Sequence, residues 1–73
     1  MENNLLDGMP ALIEEEAQDA MKYARLALEH KADHPDIADL FMELSGEELK
    51  HMQRIADKLA AMIGKLHAEY KGA

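Results

Sequence analysis

Residues 37–66 read IADLFMELSGEELKHMQRIADKLAAMIGKL, and whether this stretch is one helix or two decides the fold. At about 100° per residue, with Glu48 set at zero, Ile37, Phe41, Leu44, Met52, Ile55, Leu59, Met62 and Leu66 fall within roughly 40° of it. The apolar phase therefore runs unbroken through Ser45-Gly46. The competing reading takes Ser45, followed three residues later by Glu48, as a capping box, with Gly46 marking a break. A true break usually resets the phase, and here it is not reset. The expectation is one long helix, with Gly46 on its outer face, where glycine costs about 1 kcal/mol against alanine and obstructs nothing.

Upstream, Asp7-Gly8-Met9-Pro10 reads as a helix start, with Pro10 near the first helical position. The pattern runs to about residue 32. Asp33-His34-Pro35 is the break, since proline disfavours helix in the residue before it. The second helix spans about 36–70. With Glu16 set at zero, Met9, Leu12, Ala20, Tyr23 and Ala27 lie within roughly 40°, while Glu14 and Glu15 point outward. The whole chain, 1–73, reads as a single all-α domain, a two-helix antiparallel hairpin. At 1.5 Å per residue the helices are about 34 Å and about 52 Å long, leaving residues beyond about Leu59 without a partner in the hairpin.

Composition supports this reading. Helix formers dominate, isoleucine is the only β-branched apolar residue, and aromatics make up 4%. A chain of 73 residues with no disulfide seldom stabilises itself without a metal or a partner copy. Fifteen acidic residues face eight basic ones, for a net charge of -7. That balance argues against nucleic acid and anionic membranes as partners. The absence of cysteine excludes zinc fingers, iron–sulfur clusters and thiol catalysis. No run has the length and apolarity of a membrane span, and the N-terminus does not read as a signal peptide, so the expected location is cytoplasmic.

Two carboxylates at the centres of apolar stripes need an explanation, because burying an unpaired carboxylate is costly. Glu48-Leu49-Lys50-His51 is a Glu-x-x-His motif, which puts both side chains on neighbouring turns of one face. Carboxylate-bridged di-metal bundles take a Glu from each of two helices and a Glu-x-x-His from each of the other two. This chain holds one of each, at Glu16 and at Glu48/His51. A two-fold dimer would supply four Glu and two His around two metals, closing a four-helix bundle. Four carboxylates also balance two divalent ions in charge. Without metal, the like charges would raise some of the carboxylate pKa values.

Glu16-Ala-Gln-Asp-Ala-Met-Lys-Tyr23 resembles the first metal-binding helix of rubrerythrin-type proteins. Leu40-Phe41-Met42-Glu43, followed by Glu48 and His51, is similar to the second. The resemblance covers roughly residues 10–60 and the first two of the family's four helices. In its short, dimerising, cysteine-free form the chain looks most like encapsulated ferritins, within the ferritin-like superfamily. The resemblance implies that Glu16 is a terminal ligand, Glu48 a bridging ligand and His51 a terminal nitrogen ligand, with Tyr23 hydrogen-bonded to a carboxylate nearby. It also implies ferroxidase-type chemistry at Glu16, Glu48 and His51 with two Fe ions per dimer, in iron handling or oxidative-stress protection; Mn or Zn suit the same donors. Its expected partners are a second copy or a higher oligomer, together with an electron donor or an encapsulating shell forming a nanocompartment.

The remaining candidates have simpler readings. His30, at the end of the first helix, suits terminal carbonyls. His34 is a loop residue and His67 a surface one. Met21, Met42 and Met52 fill a core or an interface, and Glu47 is exposed. The rival to a metal protein is a non-catalytic helical dimerisation module, in which Glu48 is a capping residue and Glu16 pairs with a Lys or His.

Overall fold

The computed structural model describes residues 2–72. Two helices make up the hairpin, α1 (Glu2–Glu29) and α2 (Pro35–Gly72), in a rod of 61 × 16 × 13 Å. Among the described residues there is no strand, and no helix is long and apolar enough to cross a membrane. The all-α hairpin read from the sequence is the architecture observed.

α2 is continuous through Ser45-Gly46, so the capping-box reading of Glu48 does not apply. Gly46 has ordinary helical geometry, and a Cβ built on it meets nothing within 4 Å.

α1 departs from expectation at its start. It begins at Glu2 rather than near residue 10 and carries Pro10 inside it. Proline removes one hydrogen bond to the carbonyl four residues earlier. The apolar phase nevertheless runs back across it: Leu6 is half-buried and shares a cleft with Met62, Lys65, Leu66 and Glu69 of α2. That packing opposes the local cost of the proline. It also overturns the expected overhang beyond Leu59, because the longer α1 reaches along α2 as far as Met62 and Leu66.

The turn is built from α-type hydrogen bonds. His30 N–H donates to the Leu26 carbonyl (3.1 Å), His34 N–H to His30 (2.9 Å) and Ala38 N–H to His34 (2.9 Å). The chain reverses while residues four apart stay stacked over one another.

The seam between the helices is lined by small side chains. Ala20, Ala27, Ala38 and Ser45 are buried, whereas Leu5, Leu12, Leu28, Ile37, Leu40 and Leu49 remain exposed. Among the described residues no large side chain is fully enclosed, so the hairpin has a close seam but little core of its own.

Candidate metal centre

The seam climbs in steps of three and four residues on both helices. Ala27 and Ala38 share its lowest rung, near the turn. Tyr23 stacks on Phe41 above them, with ring centroids 6.3 Å apart. Next, the buried Ser45 hydroxyl donates to the Ala20 carbonyl at 2.6 Å. Only small residues let a serine reach the facing backbone in this way. Glu16 and Glu48 form the fourth rung, and His51, one turn beyond Glu48, joins them.

One ligand atom from each of Glu16, Glu48 and His51 lies within 4.8 Å of the other two. His51 Nδ1 is 3.5 Å from Glu16 Oε2 and 3.8 Å from Glu48 Oε1, both longer than an ordinary N–H···O bond. Glu16 Oε2 is buried and has no hydrogen-bond partner. A buried polar atom is normally satisfied, so this oxygen lacks a cation or a donor that the hairpin does not supply. The Glu48 carboxyl is raised from its ordinary value, chiefly by its side-chain interaction with Glu16, then by desolvation and the Glu16 charge, with His51 opposing them. Two facing carboxylates resist ionising together, and a dication relieves both charges at once.

Two carboxylate oxygens and an imidazole nitrogen suit iron, manganese and zinc. They come from one wall only. His51 is half exposed, and a cleft beside it and Glu16 is lined by Arg54, Ile55 and Lys58. Three donors with an open side leave coordination positions for further ligands. Arg54 and Lys58 did not stand out in the sequence, because two more basic residues on an amphipathic helix carry no distinguishing spacing.

Tyr23 lies on the same stripe as Glu16. Its ring rests against Phe41, with Lys22 Nζ 5.6 Å from its centroid, and among the described residues its hydroxyl has no carboxylate partner within the hairpin. His30 and His34 gather at the turn around Asp33, far from this rung. His67, Glu47, Met21 and Met42 are exposed and Met52 is half-buried. The rival reading also pairs Glu16 with a histidine, and His51 is that neighbour; it gives no account of why Glu16 and Glu48 face each other.

A protein-family model described as Rubrerythrin matches residues 11–72. No curated protein and no solved structure matches the chain.

Proposed function

The chain belongs to the rubrerythrin family, a membership that implies iron binding, and from it we propose a di-iron carboxylate protein that oxidises Fe(II) at a site completed by a second copy. One observation carries this reading: the buried, partnerless Glu16 Oε2 stands in a triad with Glu48 and His51.

The hairpin supplies half of a di-metal donor set. Leu5, Leu12 and Ile37 are exposed and lie in helical phase with Glu16 and Glu48, so the site's rim is the apolar face that needs covering. A two-fold partner laid on this face buries it and brings a second Glu16, Glu48 and His51. Four carboxylates and two irons then form a neutral centre.

Each residue has a defined task. Glu48, on the seam between the helices, would serve as the ligand shared by two metals, and Glu16 and His51 would hold them as terminal ligands, one through oxygen and one through nitrogen. Tyr23, packed on Phe41, would donate its hydroxyl to a carboxylate of the completed site. The apolar rim limits water. Two Fe(II) held there would supply two electrons, which with two protons reduce dioxygen to hydrogen peroxide or hydrogen peroxide to two waters. Glu48, whose pKa is raised in the metal-free protein, would release its proton as iron binds. The setting we propose is the cytoplasm or the interior of a protein shell, with an external electron donor if the iron is recycled.

Native mass spectrometry after anaerobic Fe(II) loading tests the proposal. Two irons per dimer, lost in Glu48→Ala, are expected. A dimer that stays metal-free in excess iron would remove the oxidase reading and leave a helical interaction module.

A further inference from the structure

We propose a second metal site at the hairpin turn, formed by His30, Asp33 and His34, which takes a borderline transition-metal dication such as zinc. The site stands on residues of one chain and does not depend on the di-iron reading.

Its geometry is set by the backbone. The His34 N–H···O=C His30 bond of 2.9 Å closes an α-type turn and fixes the two histidines one turn apart. At that spacing two imidazoles can bind one ion, as two histidines four apart do in helical zinc motifs. Asp33 lies between them, its Oδ2 being 3.3 Å from His30 Nδ1 and 3.9 Å from His34 Nε2. The first is a long hydrogen bond and the second lies beyond hydrogen-bond distance. The carboxylate is therefore held by His30 and also faces the His34 ring.

The surroundings favour a cation. The cluster follows the C-terminal end of the 28-residue α1, whose last turn holds no basic residue, and that end of a helix attracts positive charge. The chain as a whole carries -7. All three side chains are open to solvent, at 38%, 57% and 59% exposure, so an ion can enter and leave. The ring centroids are 6.1 Å apart and the three donors do not converge as those of Glu16, Glu48 and His51 do, so binding an ion requires the solvent-open side chains to rotate toward it. Two nitrogens and one oxygen select zinc, copper, nickel or ferrous iron over magnesium or calcium, which prefer oxygen. Along α1 the cluster is about 21 Å from Glu16, too far to share an ion with it.

Zinc is the probe, being redox-silent. It is titrated into the full-length Glu48→Ala variant, which leaves the turn untouched, with calorimetry for stoichiometry and imidazole NMR for location. The expected result is one zinc per chain, with His30 and His34 resonances shifting while His67 stays still. Adding His30→Gln or His34→Gln, each checked for helicity, should weaken binding by at least about tenfold, the loss that removing even an outer-shell partner brings; Asp33→Asn should weaken it less. Either histidine variant alone suffices if the other loses helicity. The proposal is overturned if Glu48→Ala binds no zinc, if neither histidine change alters the titration, or if one zinc is shared between two chains.

Discussion

Ser45 donates its hydroxyl to the Ala20 carbonyl across the hairpin at 2.6 Å, one rung below the facing carboxylates of Glu16 and Glu48. This bond sets the register of α1 against α2 at the point where register decides whether the two carboxylates meet. Removing the hydroxyl loses a buried bond but opens little space, since Ala20 is alanine already. Ser45→Ala should therefore cost about 1 kcal/mol, seen as a lower urea midpoint at fixed protein concentration, with a smaller effect on iron stoichiometry.

Gly46→Ala should act in the opposite direction. The position is inside α2, has ordinary helical φ, and a Cβ there meets nothing within 4 Å. A gain of about 1 kcal/mol in unfolding free energy is expected. Loss of stability instead would mean that a partner covers this outer face.

The metal-free protein should lose stability as pH rises out of the acidic range. Glu48 holds its proton more firmly folded than unfolded, so between its unfolded and folded pKa the native state binds more protons. In that window stability falls as pH rises. Its contribution is fully present below the unfolded pKa and lost once pH passes the folded one. Chemical denaturation in EDTA at stepped pH measures this slope, and Glu48→Gln should flatten it.

Metal should reverse that loss. Ions that bind only the folded protein raise its apparent stability, so the melting temperature at neutral pH should fall on chelation and recover with Fe(II) or Mn(II). Glu48→Ala should show no iron-dependent recovery, while its metal-free form melts no lower than the parent because one of two opposed charges is gone. Residual zinc stabilisation in that variant would report the turn.

Tyr23 separates packing from chemistry. Its ring stacks on Phe41, so Tyr23→Ala should cost about 2 kcal/mol from lost burial and aromatic contact. Tyr23→Phe keeps the ring and should stay within about 0.5 kcal/mol of the parent. A slower Fe(II) oxidation in Tyr23→Phe, followed by absorbance, would assign the hydroxyl to a carboxylate of the dimer.

The sequence by itself determined the helices' type and the faces they present. Helical phase is local: a repeat of 3.6 residues puts Glu16 and Glu48 at the centres of apolar stripes and His51 on the turn next to Glu48, independently of any contact between helices. The same unbroken phase made Ser45-Gly46 helix interior, as α2 is. Three things depended on the tertiary structure. Pro10 looked like a helix start, because a missing backbone donor is a local signal; packing of Leu6 beside Met62 and Leu66 carries the helix through it. The rung that joins Glu16 to Glu48 depends on register, and a serine hydroxyl reaching a facing carbonyl has no periodicity to reveal it. His30 read as a helix-end residue and His34 as a loop residue, and the α-type bond between their backbones sets them one turn apart. Periodicity fixes which face of a helix a residue occupies, whereas which residue it meets depends on how close two backbones can come.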